Sequence, residues 1–276
     1  MGIRVINFIR YPGGKQKLLN FIIPFLPARE LIKGIYIEPF VGSGAVFFAL
    51  NPNRAILSDI NPELIDLYHG IRLYPHKVWK IYSSFPKTKA AYYKIRAIDS
   101  VKMKLAFRAA RTLYLNRTCF KGMWRHNANG IFNVGYGGQD RRWVISEDIL
   151  KEVSDRLKSA QIKCSDFEDI INNSTKDDFI FVDPPYSPGK SNMNNSHYRF
   201  GKFTFSEYQR LAKSLDRASK RSVKWAMTIS SHPDILNLFT KYRIIIIPIG
   251  TGKQPGILTK DSGEALIINY NPEEMK

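Results

Sequence analysis

Ile37-Glu38-Pro39-Phe40-Val41-Gly42-Ser43-Gly44 reads as a short strand that runs into a tight glycine turn, followed by the apolar start of a helix. Glycine at 42 and 44 lets the backbone turn sharply and approach a ligand closely, at the carboxyl end of a strand where open α/β sheets bind their ligands. A bare Gly-x-Gly is also an ordinary turn, and the third glycine of the dinucleotide fingerprint is missing because Phe47 stands there. Outward from this stretch, β-type runs ending in turn residues recur at Ile35–Glu38, Arg54–Ile60, Gln161–Phe167, Asp178–Asp183, Trp225–Ser230, Arg243–Ile249 and Ala265–Tyr270. Between several of them lie helical patterns, such as Phe205–Ser219 with Tyr208, Leu211, Ala212 and Leu215 on one face. Strands alternating with helices predict an open, largely parallel α/β sheet. A Gly- and Pro-rich loop without helical pattern joins the last two runs, which predicts an antiparallel pair at the sheet's edge.

From about Pro62 to Leu150 the rhythm breaks. Between Arg72 and Arg142 stand 16 Lys or Arg against only Asp99 and Asp140, so +14 of the net +18 lies there. Such a run is usually a solvated face. Here Tyr92, Tyr93, Tyr114, Phe120, Trp124, Phe132, Tyr136 and Trp143 are interleaved, and 116–138 is rich in Gly and Asn, like an exposed hairpin. The combination favours a nucleic-acid surface. The division expected is a sheet domain from 1–61 and 159–276, with 62–158 inserted.

A pI near 9.8 points to a polyanionic partner, nucleic acid before an acidic membrane. The longest aliphatic run, Ile244 to Ile247, stops at Pro248, far short of a membrane span, and no lipidation signal follows Met1-Gly2. Cys119 and Cys164 stand apart, which gives no disulfide framework and fits a cytoplasmic protein. The five histidines are scattered, so no metal is expected.

Two further elements bear chemistry. Ser58-Asp59-Ile60-Asn61 closes the strand after the glycine turn, and Asp59 there can accept hydrogen bonds from both ribose hydroxyls of a nucleoside; it could equally cap a helix. Without a pyrophosphate fingerprint the ligand expected is a nucleoside lacking phosphates. Phe181-Val182-Asp183-Pro184-Pro185-Tyr186 ends a buried strand, where two prolines hold an extended turn. That turn leaves the Asp183 carboxylate and the Pro184 carbonyl as acceptors converging near one point. They suit an adenine amine, a poor nucleophile whose lone pair is delocalised, with Tyr186 stacked on the base. The bland alternative is a Pro-Pro-Tyr turn with a capping Asp.

With Arg10-Tyr11-Pro12-Gly13-Gly14-Lys15 ahead of Phe40-x-Gly42-x-Gly44 and Asp183-Pro184-Pro185-Tyr186, the chain resembles the DNA adenine methyltransferase (Dam) family of the D12 class, α group. The resemblance implies a Rossmann-like, seven-stranded methyltransferase sheet with an inserted, mainly helical target-recognition domain carrying a β-hairpin. It also implies S-adenosylmethionine (AdoMet) as methyl donor, double-stranded DNA as partner, base flipping, and N6-methyladenine as product. By position, Tyr11, Lys15, Phe40, Gly42, Gly44, Asp59, Asp166, Phe167 and Asp183 match the cofactor site. Tyr11 departs from the family's usual tryptophan there. Asp183, Pro184, Pro185 and Tyr186 match the catalytic turn. Leu115 to Arg125 with Phe132-Asn133-Val134 is similar to the recognition hairpin, which nominates Arg117, Lys121, Met123 and Arg125, with Arg141 and Arg142, for DNA. Cytosine-N4 methylation more typically carries Ser in place of Asp183, and RNA or protein-amide methylation usually has Asn first. A binding module that lost its cofactor is the reading from another class, against which Gly42, Gly44, Asp59 and Asp183 all stand intact.

Overall fold

A computed structural model describes residues 6–11, 13–127, 131–138, 145–186, 203–248 and 263–275. Seven strands form one sheet: β1 (Tyr36–Glu38), β2 (Ala55–Asp59), β3 (Ala160–Cys164), β4 (Phe179–Val182), β5 (Lys224–Ser230), β6 (Arg243–Ile246) and β7 (Glu264–Ile268). Their spatial order is β3-β2-β1-β4-β5-β7-β6. The first five are mutually parallel, and β7 lies antiparallel between β5 and the edge strand β6. The α/β sheet and its antiparallel edge pair are therefore as the sequence predicts.

Both faces of the sheet are apolar, which is why its strands read as continuous hydrophobic runs. Tyr36, Leu57, Phe179, Phe181 and Leu266 face one core, while Ile37, Ile180, Val182, Met227 and Ile267 face the other. Helices cover both sides. They are α1 (Leu19–Ile22), α2 (Ala45–Leu50), α3 (Pro62–Leu73), α4 (Pro75–Ser84), α5 (Lys89–Ala97), α6 (Leu105–Thr118), α7 (Glu147–Leu157), α8 (Phe167–Asn172), α9 (Phe205–Lys220) and α10 (Pro233–Leu236). Among the described residues, no helix is long and apolar enough to cross a membrane.

The helices between β2 and β3 do not enclose a core of their own. Leu64, Tyr68, Val78, Tyr92, Ala109, Leu113 and Leu150 belong to the same buried cluster as Phe47, Leu57 and Phe179 of the sheet side. Residues 118–127 and 131–137 form the expected hairpin, bonded at Phe120 N to Gly135 O (2.8 Å), Asn133 N to Arg125 O (3.1 Å) and Gly137 N to Thr118 O (2.9 Å). It is exposed on one side only: Phe120, Lys121, Asn127 and Ile131 face solvent, whereas Trp124, His126, Phe132 and Val134 are buried, because α5, α6 and the amino-terminal segment need an apolar cover. Tyr92 and Tyr114 are fully buried too, so among the described residues most of the interleaved aromatics build the core and only Tyr93 and Phe120 are exposed rings; Trp143 lies outside the described residues.

The seam between α3 and α6 depends on a single missing atom. A Cβ at Gly70 of α3 would lie 2.3 Å from the Cβ of Ala109 on α6. Gly70→Ala should therefore lower stability, since overpacking costs about 1–3 kcal/mol and improved helix propensity returns only about 1 kcal/mol. Urea unfolding measures the loss, and adding Ala109→Gly should restore most of it; a Gly70→Ala chain as stable as the parent would mean the helices part freely.

Candidate active site

The glycine turn after β1 is fixed by backbone conformation. Gly42 and Gly44 have φ of 46° and 65°, left-handed values that side chains disfavour. Space forbids a side chain as well: a Cβ on Gly42 would meet the Tyr11 ring at 3.1 Å, and one on Gly44 the Tyr68 hydroxyl at 2.9 Å. Tyr68 of α3 donates its hydroxyl to Gly42 O (2.9 Å), so the turn is clamped from the neighbouring helix.

Asp59 ends β2 against this turn. It accepts from Gly42 N (3.3 Å) and Asn61 N (3.0 Å). The helix cap is Asn61, whose side chain accepts from Glu63 N and Leu64 N at the start of α3. Burial pushes the Asp59 carboxyl up to about 6 against the pull of these amides. Glu38, at the end of β1, is buried beneath the turn, accepts from Phe47 N (2.9 Å) and from the Tyr36 hydroxyl, and is driven by burial up to about 8.

Beyond β3, Asp166 caps α8 by accepting from Glu168 N (2.9 Å) and receives both terminal nitrogens of Arg210 from α9, at 2.7 and 2.9 Å. Burial raises its carboxyl, but the Arg210 and Glu168 bonds prevail and leave it below the ordinary value. Phe167 stacks on Phe40 with centroids 5.1 Å apart, and Phe203 meets Phe40 edge-on at 5.7 Å.

The Asp-Pro-Pro-Tyr turn follows β4 and is held by three distant parts of the chain. Lys15 Nζ, only 3% exposed, lies 2.9 Å from Asp183 Oδ1 and 3.6 Å from Glu264 Oε2, and donates to Gly13 O at 2.7 Å. It also sits 4.5 Å from the centre of the Tyr186 ring. The Tyr186 hydroxyl donates to Glu264 Oε2 (3.0 Å), with Asp183 Oδ1 at 3.4 Å, and Thr228 of β5 donates to Asp183 Oδ1 at 2.8 Å. Every contact to the Asp183 carboxylate reaches Oδ1. Asp183 Oδ2 has no hydrogen-bond partner among the described residues. Burial raises the Glu264 carboxyl; Lys15 opposes this and Asp183 adds to it.

One cavity of about 540 Å³ joins these groups, lined by Tyr11, Lys15, Phe40, Gly42, Asp59, Asp166, Phe167 and the 183–186 turn. All the nominated cofactor and catalytic residues line it except Gly44, which forms the turn behind it. Glu38, Trp124, Phe203, Glu207 and Arg210 line it too, and sequence reading did not single them out for this place. Trp124 was grouped with the basic segment, and its proximity to Arg125 hid its position against Tyr11, ring centres 5.6 Å apart. Glu264 and Thr228 gave no local signal; only the β5–β7 register brings Glu264 beside the turn.

The nominated DNA residues lie apart from this cluster. Lys121 is exposed in a left-handed conformation (φ 54°), Met123 packs partly into the core, and Arg117 is half-buried at the end of α6. Arg125 donates Nε to Asn133 Oδ1 at 2.9 Å, and its terminal nitrogens have no partner among the described residues. Arg141 and Arg142 lie outside the described residues. The basic segment divides by residue type. Arg72, Arg96 and Arg111 donate to carbonyls of Ala160, Val134 and Ile95, and Arg108 pairs with Asp66, whereas Lys77, Lys80, Lys89, Lys94, Lys102 and Lys104 are exposed.

Comparison with known proteins meets this geometry from outside. The profile of the D12 class N6 adenine-specific DNA methyltransferases matches residues 11–248. The chain is 32% identical to the Type II methyltransferase M.MjaIII of Methanocaldococcus jannaschii, over 97% of this chain and 100% of that protein. It is 32% identical to the DNA adenine methylase of Haemophilus influenzae, over 82% of this chain and 79% of that one. With the Type II methyltransferase M1.LlaDCHI of Lactococcus lactis subsp. cremoris it shares 29% identity, over 88% of this chain and 87% of the relative. A family profile that spans residues 11–248, with a relative 32% identical over 97% of the chain, settles the membership: the chain belongs to the D12 class of N6 adenine-specific DNA methyltransferases.

Proposed function

We propose that the cavity holds AdoMet beside an adenine extruded from double-stranded DNA, and that Asp183 Oδ2 accepts a hydrogen bond from the adenine amine. The observation that carries this reading is the division of the Asp183 carboxylate, with Oδ1 anchored by Lys15 and Thr228 and Oδ2 left open.

The residues present fit the donor. Asp59, Asp166, Asp183 and Glu207 line the cavity against two cations, and Glu38, raised by burial to about 8, adds a neutral carboxyl. Both cations are committed: Lys15 to Asp183 and Glu264, Arg210 to Asp166, Glu168 and Glu207. Such a site repels a pyrophosphate and suits a nucleoside that carries positive charge. The Gly42–Gly44 turn permits close approach, Asp59 accepts from the ribose hydroxyls, and Phe40 and Phe167 provide a wall for the adenine ring. Asp166 keeps unused lone pairs beyond its Arg210 pair, enough to accept from a ring substituent. When bound, the donor supplies an electrophilic methyl group on a sulfonium.

The chain's own task is to make the amine nucleophilic. Asp183 Oδ2 and the Pro184 carbonyl accept its two hydrogens, which favours a pyramidal nitrogen with its lone pair aimed at the methyl group. Pro185 stiffens the turn, and Tyr186, tethered through its hydroxyl to Glu264, offers a ring face to the base. Residues 62–158 serve as the inserted target-recognition module. In it Asn133 holds the Arg125 fork by Nε and leaves two nitrogens for a guanine edge, while Arg117, Lys121, Met123, Arg141 and Arg142 complete the contact and the exposed lysines lie toward phosphates.

Four outcomes test these assignments. Asp183→Asn keeps the size but loses an acceptor, so single-turnover methyl transfer at saturating AdoMet should fall about 100-fold or more with DNA affinity little changed. Full activity would overturn the assigned role. Tyr186→Ala should weaken capture of the base, partly relieved when the target adenine is mismatched and already unstacked. Because Asp59 must be ionised to accept from ribose and burial raises it to about 6, donor affinity should hold above pH 7. It should fall by about tenfold per pH unit below 6; Asp59→Ala should bind more than about tenfold weaker at pH 7.5 and lose that dependence. Arg125→Ala should cost roughly 1–3 kcal/mol on the cognate site and little on random DNA, whereas equal loss on both would make it a phosphate contact.

A further inference from the structure

Trp124 combines two features that a packing tryptophan does not need. It is 4% exposed, and its indole Nε1 is buried without a hydrogen-bond partner among the described residues. It also lines the cavity although it belongs to the recognition hairpin, and it reaches that wall beside Tyr11. A buried N–H left unpaired is costly, and a phenylalanine would fill the same apolar place without that cost.

Building on the donor reading above, we propose that Trp124 is a ligand-binding residue whose indole N–H hydrogen-bonds the carboxylate on the amino-acid end of the methyl donor. The charge pattern of the cavity leads to this acceptor. The lining is rich in carboxylates and both of its cations are paired, so an anionic group entering it lacks a free cation among the described residues. It must be received by neutral donors. Indole nitrogen donates only and carries no charge, so it can bind a carboxylate without disturbing the Lys15 and Arg210 pairs. The other polar groups of the donor, its ribose hydroxyls and adenine amine, donate to Asp59 and Asp166 in the proposed arrangement. The hairpin thus contributes one atom directly to the cofactor site.

The test pairs two probes that share nucleoside and thioether but differ in the amino-acid end: S-adenosylhomocysteine and 5′-methylthioadenosine. Titration calorimetry on the full chain should show Trp124→Phe losing about tenfold or more in affinity for S-adenosylhomocysteine and less than about twofold for methylthioadenosine. In parent protein with 15N-labelled tryptophan, the Trp124 indole proton should move downfield with S-adenosylhomocysteine and stay in place with methylthioadenosine, a readout that does not depend on the variant's folding. Equal losses for both probes, or an indole proton that responds to both alike or to neither, overturns the proposal while leaving the donor reading intact. A parent chain that binds neither probe overturns the donor reading itself.

Discussion

A buried ammonium between two carboxylates organises this molecule. Lys15 lies within reach of Asp183 and Glu264, residues from the amino-terminal segment, the end of β4 and the start of β7. None of these is near another in sequence, and removing one partner would leave a desolvated charge uncompensated, which is costly. The interaction therefore fixes more than a distance. It sets which oxygen of Asp183 is occupied, holds a cation against one face of Tyr186, and brings the antiparallel β7 into the site even though the glycine turn and Asp59 come from the parallel half of the sheet.

Around that cluster the cavity obtains its character from backbone and burial rather than from free charges. The left-handed glycines bring main chain where side chains would stand, Glu38 is driven by burial up to about 8, and Arg210 neutralises the acids around α8. The same division runs along the chain: Arg72, Arg96, Arg108 and Arg111 tie carbonyls and a carboxylate together while Lys77, Lys80, Lys89, Lys94, Lys102 and Lys104 face water. Residue type, not only net charge, decides which part of a basic segment is available to an external polyanion.

Much of this was legible because it is local. Short β-type runs ending in turn residues located all seven strands, and the two motif turns sit at strand ends where chain direction alone places them. What was illegible is non-local or depends on which face a residue presents. Glu264 and Thr228 reach Asp183 through strand register. Trp124 and Tyr92 look like stacking platforms in a basic, aromatic segment but are core, because a hairpin laid over α5 and α6 must bury one side. Arg210 looks like the polar face of an amphipathic helix, and only the fold reveals that this face meets Asp166.

The backbone of Arg10 and the side chain of Asn116 exchange two hydrogen bonds, Arg10 N to Asn116 Oδ1 at 2.8 Å and Asn116 Nδ2 to Arg10 O at 2.6 Å. A Cβ on Gly122 would come within 2.5 Å of the Arg10 side chain. The end of α6, through Asn116, and the hairpin, through Gly122, are thus keyed to a strip of main chain more than a hundred residues earlier, next to Tyr11 in the cavity wall. Grafting a hairpin of different specificity onto this scaffold would therefore require its own matching amino-terminal strip. Transplanted alone, it would sit against a foreign backbone and disturb the cavity wall at Tyr11 and Trp124.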